Sequence, residues 1–111
     1  MPWLFSYGTL RQPDVQLATF GRLLDGRDDN LPGYAIGTVR IVDPAVVRLS
    51  GAAQHPILRP SDDPDAVVPG MALDLTEAEL GAADAYEDPA YVRIGVTLRS
   101  GRSAFAYVAR D

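Results

Sequence analysis

A helix with marked boundaries at both ends constrains the fold of this chain more than any other feature. Thr76 follows an apolar, strand-like segment at residues 67–75 and stands three positions before Glu79. This Thr-x-x-Glu spacing is typical of a capping box, in which two side chains satisfy free amides at the start of a helix. Pro89 disfavours helical backbone at the residue before it, so the helix is predicted to end near Asp88.

Short β-like segments separated by glycine and proline dominate the rest of the chain. A second helix is predicted to start at Pro13, which suits a first helical turn, and to end before Leu23 because Gly21 weakens the pattern. The charged stretches 25–30 and 61–65 are predicted to be loops. Strands are predicted at residues 3–6, 34–42, 45–51, 55–60, 67–75, 91–100 and 103–110, the last two as a hairpin.

The composition agrees with one α+β domain over residues 1–111 and excludes several classes of site. Hydrophobic residues make up 47% of the chain and cysteine is absent, which excludes disulfides, cysteine-based zinc sites and a cysteine nucleophile. The net charge is −5 and the ten basic residues, all arginine, are scattered, which disfavours nucleic-acid binding. No run of about 18 apolar residues is present to span a bilayer. We therefore expect a soluble, cytoplasmic protein with no nucleic-acid or membrane partner.

Glu87 is the residue whose position is hardest to explain by packing alone. It shares a helix face with Leu80, Ala83 and Asp84 at the spacing i, i+3, i+4, i+7. Partial burial and the negative end of the helix dipole would both raise the pKa of its carboxyl group toward neutrality, which suits a general acid and base. The alternative is a solvated glutamate at a helix end. Asp84 and Asp88 are interpreted as solvated or capping residues.

The stretch Ser6-Tyr7-Gly8-Thr9-Leu10 ends the first predicted strand at a glycine. Glycine permits positive φ and close approach to the backbone, so successive amides around Gly8 can point into one concavity and bind a carboxylate or an oxyanion. The alternative is a plain turn that binds nothing.

Other candidates are weaker. His55 is the only histidine and lacks metal-ligand spacing, so a structural or surface role is favoured over a catalytic one. Ser6 and Thr9 are hydroxyl residues outside a Gly-x-Ser-x-Gly elbow. The adjacent aspartates at 28–29 and 62–63 lack calcium-loop spacing. Tyr86, Tyr91, Phe105 and Tyr107 are interpreted mainly as core residues, although tyrosine hydroxyls can reach a polar pocket.

Taken in order, several of these motifs resemble the γ-glutamylcyclotransferase-like family, which includes AIG2-like proteins. The matching stretches are residues 5–11 (FSYGTLR), 68–73 (VPGMAL) and 80–87, then Tyr91-Val92-Arg93 and a closing AFAYV strand. The resemblance implies an α+β fold: a small mixed β-barrel of about five to seven strands with flanking helices. It departs from the family at Leu73, where a tyrosine is frequent, and in the segment HPIL.

The resemblance also implies a site and a reaction. Residues Tyr7, Gly8, Thr9 and Leu10 would form a substrate-binding loop, with Tyr91 also binding substrate, and Glu87 would be the catalytic acid and base. Family members convert γ-glutamyl compounds to 5-oxoproline and a free amine or amino acid, by attack of the substrate's own α-amino group. This chemistry implies a small-molecule partner and no metal or cofactor. Two other readings stay open: a binding protein that holds a small carboxylate-bearing metabolite without turnover, and a structural or interaction domain.

Overall fold

A computed structural model describes residues 2–40, 54–87 and 90–110. In chain order the elements are β1 (Trp3–Ser6), a 3-10 turn (Thr9–Arg11), α1 (Pro13–Phe20), β2 (Gly26–Pro32), β3 (Tyr34–Arg40), β4 (Gln54–Pro60), β5 (Val67–Asp74), α2 (Glu77–Tyr86), β6 (Tyr91–Thr97) and β7 (Ser103–Ala109). The predicted strand at 45–51, Asp88 and the side chain of His55 lie outside the described residues.

Within the described residues, seven strands form one mixed sheet in the order β2-β5-β1-β7-β4-β3, with β6 paired to β7. Strand β1 lies antiparallel to β5, from Trp3 opposite Asp74 to Ser6 opposite Met71. Its other edge pairs in parallel with β7, where Leu4 lies opposite Phe105. The hairpin of β6 and β7 pairs over seven residues on each strand, as predicted. The predicted α+β class and number of strands are confirmed.

The sheet curls without closing into the predicted barrel. Its two end strands, β2 and β3, are separated in sequence only by Gly33, so the sheet bends far enough to bring both ends together. At that point the Gly33 amide donates to the Ala66 carbonyl at 3.0 Å, and the Gly33 carbonyl accepts from the Ser61 amide at 2.9 Å. Within the described part of the chain, no ladder joins β2 to β3, which leaves the sheet open.

The core is divided by β1 into two layers. Leu4 on one face of the strand packs with the helix residues Val15 and Leu80. Phe5 on the other face packs inside the curl of the sheet with Leu58 and other apolar residues. Because β1 is buried on both faces and paired on both edges, it is a rigid support for the loop that follows it.

The predicted loop at residues 25–30 is wrong, since this stretch lies in β2. Each residue of β2 pairs with one of β5, from Gly26 opposite Leu73 to Pro32 opposite Val67. The acidic residue Asp29 is buried and accepts the hydroxyl of Ser100 at 2.5 Å. Burial alone would raise the pKa of Asp29, but hydrogen bonds from Ser100 and the neighbouring amides outweigh it and lower the pKa. Pairing partners far along the chain thus override the local turn-like composition.

Both helices begin where local signals predict, α1 ends before Leu23 as predicted, and α2 ends at Tyr86, two residues before Asp88. Pro13 opens α1, and Gly21, with φ of 74°, ends it in the left-handed conformation that glycine adopts readily. At α2, the Thr76 side chain accepts from the Glu79 amide while Glu79 accepts from the Thr76 amide, which completes the predicted capping box. Neither of these described helices is long and apolar enough to cross a membrane.

Glu79 also makes a paired hydrogen bond with Arg22, with both N–O distances at 2.7 Å. The Arg22 guanidinium, followed by the Thr76 amide, lowers the pKa of Glu79 to about 2. A carboxyl group with a lowered pKa stabilises the fold above its unfolded-state pKa, and this contribution disappears as pH falls toward the folded-state value.

We predict that Glu79→Gln, which keeps a capping acceptor but loses the charge, lowers the free energy of unfolding by about 1 kcal/mol at neutral pH. The difference from wild type should shrink between about pH 4.5 and pH 2. Urea unfolding at several pH values measures it. Thr76→Ala is the comparison: the lost hydroxyl cap should cost about 1 kcal/mol with a smaller pH dependence, because this hydroxyl is the weakest of the groups that lower the pKa of Glu79. A difference for Glu79→Gln that is constant with pH would contradict the assignment.

Gly70 in β5 lies close against β1. A Cβ placed there would lie 2.5 Å from the Ser6 carbonyl oxygen and 2.6 Å from Phe5 Cζ. The first of these atoms belongs to the backbone of a strand paired on both edges, so it has little freedom to move.

We predict that Gly70→Ala destabilises the protein by roughly 1–3 kcal/mol, because overpacking displaces β1. Gly81→Ala is a matched control. Gly81 is an exposed helical residue with no neighbour within 4 Å of an added Cβ, and alanine there should stabilise α2 by up to about 1 kcal/mol. Equal stability changes in the two variants, measured by thermal unfolding, would argue against the close contact.

Candidate functional site

The loop predicted to bind substrate leaves the end of β1 and enters the 3-10 turn at once. The Arg11 amide donates to the Gly8 carbonyl at 3.2 Å, and the Gln12 amide donates to the Thr9 carbonyl at 2.9 Å. As at any helix start, the preceding amides of Thr9 and Leu10 have no carbonyl partner within the turn. Gly8 has φ of −133°, so the loop does not use the positive φ that glycine permits.

Side chains from three elements hold this loop in place. Arg11 donates from Nη2 to the Tyr7 carbonyl at 2.9 Å. Gln16, buried on α1, donates to the Leu10 carbonyl at 2.9 Å. The hydroxyls of Thr9 and Tyr86 are 2.7 Å apart, which ties the loop to the last residue of α2. The loop is therefore anchored beside the end of the helix that precedes Glu87.

Glu87 lies immediately after α2 rather than inside it. Its backbone is extended, with φ of −74° and ψ of 142°, and its amide still donates to the Ala83 carbonyl at 3.1 Å. The predicted helix face holds for Leu80 and Ala83, which are buried, but Asp84 on the same face is exposed. The chain turns at the end of α2, and this turn gives Glu87 its half-buried position. The predicted helix face does not determine that position.

The loop and Glu87 line one cavity of about 30 Å³. All six residues predicted for the site are among those that line it: Tyr7, Gly8, Thr9, Leu10, Glu87 and Tyr91. Residues 4–6 of β1 and Tyr107 of β7 complete the lining. From the sequence, Tyr107 was interpreted mainly as a core residue. The only local signal that placed Tyr107 at a cavity was its polar hydroxyl.

Three buried tyrosines, Tyr7, Tyr91 and Tyr107, line the cavity together with Glu87. Tyr7 donates its hydroxyl to the Tyr107 carbonyl at 2.5 Å. Burial, followed by the charges of Tyr91 and Glu87, raises the pKa of Tyr7. Burial, followed by Asp84 and then Glu87, raises the pKa of Tyr107. These two hydroxyls therefore stay protonated at neutral pH, and the charge of Glu87 acts on both.

A wider groove of about 460 Å³ lies next to the cavity, and we call it the outer groove. Both spaces are lined by Glu87, Tyr91 and Tyr107, and the outer groove adds Asp84, Val92, Arg93 and Arg110. The inner cavity has room for about one or two water molecules, whereas the outer groove is in the range of small-ligand sites. Glu87 thus lies at the junction between the inner cavity and the outer groove.

Tyr34 and Arg93 do not line the inner cavity. Tyr34 packs against the core layer inside the curl of the sheet, away from the lining of the cavity. Arg93 pairs with Asp84 at 3.3 Å and stacks over the Phe105 ring at 4.8 Å, so it belongs to the outer groove. Across residues 2–40, 54–87 and 90–110, no three His, Cys, Asp or Glu side chains are grouped closely enough to hold a metal ion.

Comparison with known proteins identifies a family for nearly the whole chain. A family model described as gamma-glutamyl cyclotransferase, AIG2-like, matches residues 4–111. No curated protein sequence matches the chain.

Solved structures share this fold. A protein of Arabidopsis thaliana with a solution structure is similar over 97% of this chain, with a TM-score of 0.73 and 22% identity. A second Arabidopsis thaliana protein covers 99% of the chain at a TM-score of 0.75 and 22% identity. A structure named gamma-glutamyl cyclotransferase is similar over 98% of this chain, with a TM-score of 0.77 and 13% identity. This chain spans 61%, 69% and 66% of those three proteins, respectively. At these identities the likeness shows the fold.

The bond between Thr9 and Tyr86 allows the attachment of the loop to α2 to be measured. We predict that Thr9→Val and Tyr86→Phe each destabilise the protein by about 1 kcal/mol, the usual net contribution of one hydrogen bond. The double variant should be no less stable than the worse single variant, because both changes remove the same bond. Urea unfolding of the four proteins gives the coupling energy, and strictly additive losses would show that the hydroxyls do not interact.

Proposed function

Because the chain belongs to the gamma-glutamyl cyclotransferase, AIG2-like family, we propose that it releases 5-oxoproline and a free amine or amino acid from a γ-glutamyl compound. The observation that carries this proposal is the shared cavity. Glu87, the loop residues Tyr7 to Leu10 and two further tyrosines, Tyr91 and Tyr107, line one small space. These are the groups that a zwitterionic α-amino acid end would need.

In the proposed reaction the substrate supplies its own nucleophile. The α-nitrogen attacks the γ-carbonyl carbon, a bond forms between these two atoms, and the bond from that carbon to the leaving nitrogen breaks. From the α-ammonium form, the α-nitrogen loses two protons in all and the leaving nitrogen gains two to depart as an ammonium group, with no net oxidation and no added water. Holding the substrate in a folded conformation supplies much of the rate, as in other well-oriented intramolecular reactions.

Glu87 is the proposed carrier of these protons. As a base it takes a proton from the α-nitrogen, and as an acid it delivers one to the leaving amine, in turn for each of the two protons. Its position where the cavity meets the outer groove supports both steps, since the attacking and leaving nitrogens lie on either side of the reacting carbon. The Thr9 and Leu10 amides are the proposed donors to the α-carboxylate or the oxyanion.

The sizes of the two spaces indicate how a substrate would lie. A cavity of about 30 Å³ suits a charged group of a few atoms and not a whole γ-glutamyl unit. The α-amino acid end therefore enters the inner cavity, and the rest of the molecule extends into the outer groove of about 460 Å³. Arg93 and Arg110 line that groove and would face the leaving group.

A binding protein of the same fold is the second candidate. The small volume of the inner cavity favours it, because a site that only recognises a carboxylate needs little more room. Such a protein would hold γ-glutamyl compounds without releasing product from them.

We predict that Glu87→Gln lowers the rate of 5-oxoproline release by roughly 10²- to 10⁴-fold, the usual contribution of a general acid and base. The measurement is product release across a panel of γ-glutamyl amino acids and γ-glutamylamines. Glu77→Gln, at the exposed start of the same helix, is the control and should match wild type. Equal turnover by wild type and Glu87→Gln would exclude the assigned role, and tight binding without product would favour the binding protein.

A further inference from the structure

Asp84 makes two polar contacts at the boundary between the inner cavity and the outer groove. The Tyr107 hydroxyl donates to its Oδ1 at 2.6 Å. The Nε of Arg93 lies 3.3 Å from the same oxygen. Since Tyr107 is on β7 and Arg93 is on β6, the carboxylate joins α2 to both strands of the hairpin. It does so about one helical turn before Glu87.

Tyr107 is held at both ends. Its backbone carbonyl accepts the Tyr7 hydroxyl at 2.5 Å, and its own hydroxyl donates to Asp84. A tyrosine hydroxyl has one proton to donate and lone pairs to accept with. Tyr107 lines both the inner cavity and the outer groove, and Asp84 lines the outer groove. Because the proton is engaged with Asp84, the Tyr107 oxygen has only lone pairs left for a bound group.

Charge determines the direction of the bond between these two side chains. An ionised carboxylate accepts hydrogen bonds and donates none. Burial raises the pKa of Tyr107, the hydrogen bond and charge of Asp84 raise it further, and Arg93 acts in the opposite sense. Tyr107 therefore keeps its proton at neutral pH and donates it to Asp84.

Pairing with Arg93 does not by itself account for this arrangement. The two side chains are 31% and 41% exposed, and exposed ion pairs of this kind contribute little to stability. Tyr107, by contrast, is only 6% exposed and lines the cavity beside Glu87. The contact of Asp84 that reaches the site is the one to Tyr107.

We propose that Asp84 is a positioning residue that makes the Tyr107 hydroxyl an acceptor for the α-amino group of the substrate. This inference rests on the proposed function and adds a specificity to it: recognition of a free amino group next to the carboxylate that the loop amides hold. The acceptor is used by the bound substrate and by the transition state alike, since the α-nitrogen carries N–H groups in both. Loss of such uniform binding raises KM more than it lowers kcat.

The test compares Asp84→Ala, Tyr107→Phe and the double variant with wild type. The substrates are a γ-glutamyl amide and the glutaryl amide that lacks only its α-amino group. We expect Asp84→Ala to raise KM for the γ-glutamyl amide roughly tenfold or more, as for one hydrogen bond to a charged group. We expect kcat to change about threefold at most, unlike the loss expected of Glu87→Gln.

Three comparisons separate positioning from a general effect on folding. The double variant should bind no worse than Tyr107→Phe alone, since Asp84 acts through that hydroxyl. Asp84→Asn, which keeps an acceptor oxygen, should restore most of the affinity. Glu77→Ala, which removes an exposed carboxylate at the other end of α2, should leave KM unchanged. An unchanged KM in Asp84→Ala, or additive losses in the double variant, would overturn the inference.

A readout independent of turnover distinguishes this inference from the proposed function. In isotope-labelled protein, the Tyr107 hydroxyl proton should give a slowly exchanging NMR signal that is lost in Asp84→Ala and kept in Glu77→Ala. If wild type releases no 5-oxoproline, the proposed function fails. Binding titrations with the γ-glutamyl amide and the glutaryl amide then still test the role of Asp84. A wild-type preference for the γ-glutamyl amide that Asp84→Ala abolishes supports the inference, and equal affinities in wild type refute it.

Discussion

The pairing of β1 on both edges is the constraint on which the rest of the structure depends. The strand lies between β5 and β7 and is buried on both faces, so its backbone has no freedom to shift. Gly70 allows β5 to approach it closely enough that any larger residue would meet backbone. The loop that leaves this strand therefore starts from a fixed point, and its amides keep a fixed direction.

Around that fixed loop the protein places polar groups that an apolar core would normally exclude. Tyr7 and Tyr107 are buried, and the nearby charge of Glu87 adds to the burial in raising the pKa of each. Burying hydroxyls costs free energy unless they are hydrogen-bonded, and each of these two donates to a fixed acceptor. The acceptors are a main-chain carbonyl and the carboxylate of Asp84. The network is satisfied within the protein and still leaves lone pairs for a bound group.

Much of the fold was predictable because its signals are local. The capping box of Thr76 and Glu79, the end of α1 before Gly21 and the β6–β7 hairpin each depend on residues a few positions apart. The prediction failed at β2, where charged residues indicated a loop and pairing with β5 produced a strand. It also failed to show that the sheet stays open, since whether two end strands pair is decided by the curl of the whole sheet.

The sequence by itself indicated the family, most of the local elements, and the loop and Glu87 as candidates for the site, because residue types and short spacings carry that information. The tertiary structure alone decided that Tyr107 lines the same cavity and that Asp84 accepts the Tyr107 hydroxyl. It also decided that Glu87 follows the last residue of α2 and does not lie on the predicted helix face. Tyr7 and Tyr107 are 100 residues apart and meet only because β1 and β7 pair. The direction of a hydroxyl proton depends on such partners, and no local pattern in the chain encodes it.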